Sequence, residues 1–386
     1  MCSEDNGRSL LQCGLKSLLE NNLVSTEKEN LPLATLGEPL TDDRRSTALH
    51  CVEIEVLRIL RQLVNGEVME LSVPKVTKWD RNLAPVTAPD SECAVSRVRY
   101  DVPASRHKFT VIVLLLSRVH RQLNERASGT RRRMYYEDVT FLKSQREVDD
   151  AALSVSRVLR LPPWHLGLLA TAKGLVAGDL TITTADGEVL DCSNKPGGVL
   201  IPGDVCAVQS VRSSARFILV LEKDTVFQRV LQEGILDRLG PCIVITGKGY
   251  PDVSTRALLS RLEAELRLPM LAVMDADPHG VHIMCVYRFG TRTCPLALPS
   301  LRWLGVLPSE LSSLGLRSAP LTPKDLVLTR ALLDKKCLSD AHGIRAEIET
   351  FLTVRQKGEV DALLDISPCY ITDVYLPNKI AAAHVL

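Results

Sequence analysis

The sequence predicts an α/β protein built from two unlike units. Three observations predict it. Apolar residues recur at helical spacing through residues 46–66, 107–126 and 144–161. Around residues 166–190 the apolar period falls to two. From Ser214 onward, short continuous apolar runs alternate with amphipathic segments, the pattern of a parallel sheet covered on both faces. A length of 386 residues is also more than one typical core accommodates.

Residues 1–45 show weak periodicity and several turn formers, and read as a flexible or partly helical extension. Residues 46–66 read as a helix, with Val52, Val56, Ile59, Leu60 and Leu63 on one face and Gly66 after it. Pro74, Pro85, Pro89 and Pro103 make 74–105 a connector, so 46–105 is a helix plus connector. His107–Arg126 is amphipathic, with Phe109, Ile112, Leu116, Val119 and Leu123 as its buried stripe. Ser128-Gly129-Thr130 breaks it, and Thr130 can cap a short helix carrying Tyr135 and Tyr136. Ser144–Leu161 is a third helix, with Val148, Ala152, Val155, Val158 and Leu159 on one face, ended by Pro162-Pro163. Leu166–Ala172 and Leu180–Leu190 read as strands, the second folding back at Asp186-Gly187. Helix, short helix, helix and hairpin is the order of a winged-helix DNA-binding module, here 106–192, in which the third helix docks on the duplex.

Residues 193–386 form the second unit. Arg216–Leu221, Cys242–Thr246, Pro269–Met274 and Leu301–Val306 are strands; Thr225–Leu239 and Arg256–Leu266 are helices; 307–386 is mainly helical.

Composition narrows the function classes. The apolar fraction of 45% and charged fraction of 24% are those of a soluble globular protein. Net charge is +1, so any nucleic-acid surface must come from local clustering, as in Arg131-Arg132-Arg133 and the basic stretch Arg97–Lys108. Aromatics make up 4%, too few for a base-stacking platform to be the main device. The cysteines number 11 and none pairs at C-x-x-C spacing, which argues against a zinc site or a secreted disulfide framework. The first residues are polar and acidic, unlike a signal peptide, and Val111–Leu116 is far too short an apolar run to span a bilayer. The expectation is a reduced protein of the cytosol or nucleus, with no membrane partner.

Two predicted strands end in carboxylates. Glu222 follows Arg216–Leu221 directly; Asp275 follows the third strand and Asp277 comes two residues later. Ligands of open parallel sheets bind at the carboxyl ends of strands, so the three acids should converge there. Oxygen ligands with no His or Cys suit Mg²⁺. Acids at strand ends are common and often only cap helices; the combination of E-K-D with D-A-D-P-H-G is the stronger signal.

That combination resembles the toprim fold of topoisomerases and primases. V-L-E-K-D-T-V-F-Q-R (220–229), I-T-G-K-G-Y-P-D (245–252), V-M-D-A-D-P-H-G (273–280) and R-W-L-G (302–305) follow one another as in the A-type chain of topoisomerase VI. With R-R-M-Y-Y (132–136), T-A-K-G-L-V-A-G (171–178) and Y-L-P-N-K-I (375–380), they resemble most the sporulation-eleven family of meiotic double-strand-break transesterases, over roughly residues 105 to 386. The resemblance implies that a tyrosine attacks the DNA backbone, joins a 5′ phosphate and releases a 3′ hydroxyl, initiating homologous recombination. It assigns the second aromatic of the pair, Tyr136, as nucleophile, and Glu222, Asp275 and Asp277 as the Mg²⁺ set. A free tyrosine has a pKa of about 10, so it needs neighbouring positive charge. Arg132 lies one helical turn before Tyr136. Neighbours on a helix point about 100° apart, so only one of Tyr135 and Tyr136 can face DNA. Lys173, Lys248, Tyr250 and Arg256 are further expected DNA contacts. The implied assembly is a homodimer on duplex DNA in the nucleus, with accessory break-forming proteins and a topoisomerase VI B-like subunit.

Two departures stand out. The family usually has an acid after the motif arginine, where this chain has Arg133, and the stretch 290–302 is shorter than usual. Two other functions compete: the catalytic A-type chain of a type IIB topoisomerase working with an ATPase B-type chain, and a non-catalytic DNA-binding scaffold. The scaffold would predict a broken catalytic set, whereas Tyr136, Arg132, Glu222, Asp275 and Asp277 are all present.

Overall fold

The computed structural model describes residues 42–75, 95–193, 195–291, 296–382 and 385–386. The expected extension lies outside them, except for residues 42–45. The chain forms two compact units, one ending at Thr171 and the other running from Ala172 to Leu386.

The first unit is mainly helical. Helix α1 (Asp42–Val64) starts earlier than the apolar pattern suggests, with Asp42 and Asp43 in its first turn, where negative charge suits the helix dipole. Strands β1 (Glu70–Pro74) and β2 (Val95–Arg99) pair antiparallel, where a structureless connector was expected. The prolines that suggested it are tolerated: Pro74 ends a strand, and Pro103 opens helix α2 (Pro103–Asn124), where its missing N–H costs nothing. Residues 76–94, with Pro85 and Pro89, lie outside the described residues. All five expected stripe residues of α2 are buried, and so are Val111, Val113 and Leu115, because α1, β2 and a later helix pack around it.

Thr130 ends the two-residue strand β3 (Gly129–Thr130) and caps α3 (Arg131–Glu137), its side chain accepting from the Arg133 N–H at 3.2 Å. Helix α4 (Gln145–Leu159) is capped by Ser144 and ends at left-handed Arg160. The expected strand over 166–172 is instead a 3-10 turn at Pro163–Leu166 followed by β4 (Leu168–Leu169), which pairs with β3. Gly167, at φ 69°, turns the chain so that only two residues find a backbone partner. Leu71, Val98, Phe109, Leu116, Met134, Val148 and Val155 share one core.

The second unit is a mixed sheet with helices on both faces. Strands β5 (Leu175–Gly178), β6 (Thr181–Thr184) and β7 (Val189–Asp191) come first, the last two forming the expected hairpin. They belong to this unit and not to the preceding one: β5 pairs with a central strand, and β6 pairs with β9 (Val208–Arg212) after the short β8 (Val199–Leu200). Leu180 and Ile182 sit in the same core as the central strands. The sequence boundary at 192/193 therefore differs from the structural one at 171/172.

The central strands are β10 (Ile218–Leu221), β11 (Ile243–Thr246), β12 (Met270–Val273) and β13 (Leu301–Gly305). Sheet order is β13-β12-β10-β11-β5-β8, with the first four strands parallel and the last two added antiparallel. Alternation assigns the faces. Ile218, Val220, Ile243, Ile245, Met270 and Ala272 pack beneath α7 (Val253–Leu266) and α8 (Pro278–Phe289). Leu219, Leu221, Val244 and Val273 pack with Val226, Phe227 and Val230 of α5 (Asp224–Gln232). The helix expected over 225–239 is two, since Gly234 at φ 72° separates α5 from α6 (Ile235–Arg238). The C-terminal region is helical as expected, apart from one short antiparallel pair, Ser318–Pro320 with Gln356–Gly358. Among the described residues no helix is long and apolar enough to cross a membrane.

Candidate active site

The residues expected to carry the chemistry fall into two groups, one in each unit.

In the first unit, α3 separates its two tyrosines. Met134 is buried and Tyr135 packs against the core, which fixes the helix and leaves Tyr136 59% exposed. The Arg132 guanidinium stands 5.9 Å from the centre of the Tyr136 ring. The three arginines differ in their partners. Arg131 pairs with Asp149 at 2.9 Å and Arg133 with Glu137 at 2.8 Å, whereas Arg132 has no carboxylate partner among the described residues. Glu137 thus takes up the charge of Arg133, the residue that departs from the family pattern. Glu137 and Asp138 are also held by Arg118, at 3.0 and 2.8 Å.

In the second unit the parallel register aligns the ends of the central strands, Leu221 lying opposite both Thr246 and Val273. Glu222 and Asp275 therefore emerge side by side, 8% and 5% exposed. Glu222 Oε2 accepts the Asp275 N–H at 2.8 Å. Asp275 Oδ1 accepts the Val360 N–H at 2.8 Å, and its Oδ2 lies 3.1 Å from Lys223 Nζ. Asp277 caps α8 through the Gly280 N–H at 2.6 Å. Burial, then the charges of Asp275 and Asp277, push the Glu222 carboxyl up to about 8. Burial also raises Asp275, against the Val360 N–H and Lys223, which lower it. Lys223 is destabilised as a cation by burial, yet Glu359, Asp361 and Asp275 raise it well above the ordinary lysine range.

Gly280 explains the glycine of D-A-D-P-H-G. A Cβ there would strike the Asp275 carbonyl oxygen and come within 3.0 Å of Glu222 Oε2. Gly280→Ala should therefore destabilise the second unit by about 2–4 kcal/mol. Thermal unfolding of the purified chain measures this, and an unchanged midpoint would show that the turn relaxes freely.

The donor set suits a hard divalent cation: all oxygen, with negative charge that the protein alone accommodates poorly, as the shift at Glu222 shows. The side chains are nonetheless engaged with protein groups. Among the described residues no three His, Cys, Asp or Glu side chains are gathered around one ion position.

The expected DNA contacts lie beside these acids in the same unit, with one exception. Lys173 is exposed; its Nζ donates to the Lys248 carbonyl at 3.1 Å and its N–H to Asp252 at 2.7 Å. Lys248 Nζ is 2.9 Å from Asp224. Tyr250 is exposed and its hydroxyl is 2.9 Å from His282 Nδ1; burial, then Asp277 and Glu222, raise its pKa. Arg256 is the exception. It is only 4% exposed within α7, so its side chain is packed into the unit, unlike the surface position expected of a phosphate contact. Sequence reasoning also gave no role to Lys223, Glu359 or Asp361. Lys223 was visible in E-K-D, but its partners Glu359 and Asp361 are more than a hundred residues away. Of the shortened stretch 290–302, residues 292–295 lie outside the described residues.

Residues 217–380 match the Toprim domain family of Spo11 and the topoisomerase 6 A-type chain, and residues 107–168 match the family "Type IIB DNA topoisomerase". The human meiotic recombination protein SPO11 is 32% identical over 89% of this chain and 90% of its own length. The chain belongs to the family of Spo11 and the topoisomerase 6 A-type chain. The Drosophila melanogaster meiotic recombination protein W68 is 37% identical over 85% of this chain and 96% of its own. The A3 chain of DNA topoisomerase 6 from Oryza sativa subsp. indica is 34% identical over 84% and 75%. Residues 217–380 of the second unit match the toprim domain of the family, and their acids stand at the strand ends, where the open-sheet rule puts ligands.

Proposed function

We propose that this chain breaks both strands of duplex DNA in meiosis by topoisomerase-like transesterification, with Tyr136 as nucleophile. The observation that carries the reading is the setting of Tyr136: exposed, beside a core-bound Tyr135, with Arg132 over its ring. The Tyr136 hydroxyl oxygen attacks a backbone phosphorus. A tyrosyl O–P bond forms as the bond from phosphorus to the 3′ oxygen breaks. The phenol gives up its proton, the departing oxygen takes one up as a 3′ hydroxyl, and the 5′ phosphate stays on the protein. One phosphoester replaces another, so cleavage consumes no nucleotide. Arg132 steadies the charge that develops on the phosphorus.

Glu222, Asp275 and Asp277 would hold the cation, which we read as Mg²⁺; when bound it stabilises charge on the phosphate oxygens. We read the first unit as a winged helix in which α4 meets the duplex and the β1–β2 pair supplies its strands. Lys173, Lys248 and Tyr250 would contact the DNA backbone, giving affinity without sequence selectivity. Two copies would cooperate, one offering Tyr136 and the other the carboxylates. The place of action is the nucleus, and further partners, including a topoisomerase VI B-like subunit, complete the assembly. The equivalent chain of a religating topoisomerase shares the chemistry. The match to the meiotic recombination protein W68, 37% identical over 96% of its length against 34% over 75% for the topoisomerase 6 A3 chain, supports the meiotic role.

The test is covalent capture. The protein is immunoprecipitated under denaturing conditions from meiotic cells, and attached DNA is end-labelled and released by a 5′-tyrosyl phosphodiesterase. DNA on the wild-type chain is the expected result; none, in cells that make meiotic breaks, leaves the non-catalytic scaffold.

A further inference from the structure

Lys223 places a positive charge among the carboxylates assigned to the metal. Its Nζ lies 3.1 Å from Asp275, 2.8 Å from Glu359 and 2.9 Å from Asp361. Only Asp275 belongs to the metal set. The other two acids flank Val360, whose N–H holds the second oxygen of Asp275. Both oxygens of Asp275 are thus engaged, one by a backbone N–H and one by an ammonium. A divalent cation and an ammonium repel each other across a shared carboxylate, and strongly so where water is scarce. Losing Asp275 would still leave Lys223 two acids, so its charge would not be stranded.

We propose that Lys223 is a built-in counter-ion that competes with the divalent cation for Asp275, with Glu359 and Asp361 as the acceptors that retain it when Asp275 turns to the metal. The inference rests on the metal reading above and makes Lys223 a positioning residue for that site. It accounts for Glu222 and Asp275 standing at adjacent strand ends while, among the described residues, the acids are not gathered around one point. It also gives the Glu359–Asp361 segment, remote in sequence, a function at the site.

The sign of one substitution separates this role from simple scaffolding. Mn²⁺ is titrated into the full chain without DNA and the free ion is counted by its paramagnetic resonance signal, with Mg²⁺ as competitor. Lys223→Met should bind Mn²⁺ about tenfold more tightly, because the opposing charge is gone. Lys223→Arg, which keeps the charge, should bind as wild type. Glu359→Gln with Asp361→Asn should weaken binding about tenfold, since Lys223 then rests on Asp275 alone. This last pair leaves Lys223 intact and reads the exchange even if Lys223→Met folds poorly. Weaker Mn²⁺ binding by a folded Lys223→Met overturns the proposal, as does wild-type affinity in the double variant. Glu222→Ala keeps the two readings apart. If wild type binds Mn²⁺, Glu222→Ala does not, and Lys223→Met binds more weakly, only the counter-ion role fails. If wild type takes up no Mn²⁺, the metal reading fails and takes this one with it.

Discussion

Tyr136→Phe should leave no DNA attached to the protein, whereas Tyr135→Phe should still carry it. Phenylalanine keeps the ring beneath Arg132 and removes only the oxygen that becomes the phosphotyrosyl link. The fold should not notice, because the side chain is largely in solvent. The loss should reach background, at least about 1,000-fold in covalent complex, since attack by water leaves no DNA on the protein. Tyr135→Phe removes a hydroxyl from a residue whose ring packs on the core, so a modest effect is expected. The reverse result, attachment lost only in Tyr135→Phe, would move the nucleophile and undo the reasoning from exposure. Arg132→Ala, which strips the guanidinium from above the ring, should fall between the two.

Glu222→Gln should abolish cleavage and at the same time stabilise the metal-free protein in mild alkali. The two effects have one cause. In the folded chain the Glu222 carboxyl is pushed up to about 8 from its ordinary 4.5, first by burial and then by its acidic neighbours. A group that binds its proton more tightly when folded contributes stability that is complete below its unfolded pKa and is lost as pH rises through the folded value. From about 4.5 to about 8 the wild type should therefore weaken steadily when chelator is present. Glutamine accepts the Asp275 N–H without carrying charge, so the variant should be more stable by roughly 1–3 kcal/mol above that range. Thermal unfolding with chelator, at about pH 5 and about pH 9, measures the slope; parallel slopes in the two proteins would refute the assignment. Added divalent cation should stabilise wild type at the alkaline end and leave Glu222→Gln unmoved.

Much of this was legible in the chain. Val220-Leu221-Glu222 and Val273-Met274-Asp275 announce strands that end in acids, because a doubly covered parallel strand must be apolar along its whole length and its end is the first place a charge can stand. Thr130 before a short helical run announces the cap that α3 uses, since the hydroxyl needs only local geometry to reach the Arg133 N–H. The family resemblance rested on the same local strings. What depends on contacts between distant residues was not legible. Pro74 and Pro103 read as breakers until the partner strand and the helix start made them terminal. The Thr181–Asp191 hairpin has the same sequence whichever unit claims it, and only its pairing with Val208–Arg212 decides. Arg256 reads as a surface cation until packing turns it inward. Tyr135 and Tyr136 are chemically identical, and the core distinguishes them by burying one side of a single helical turn. Two of the acids around Lys223, Glu359 and Asp361, lie 136 and 138 positions along the chain from it. The sequence by itself determined which kinds of element form and which chemistry they carry, because those follow from local periodicity and side-chain type. The tertiary structure decided which groups face solvent and which charges meet, because burial and Coulomb energy are properties of position in space.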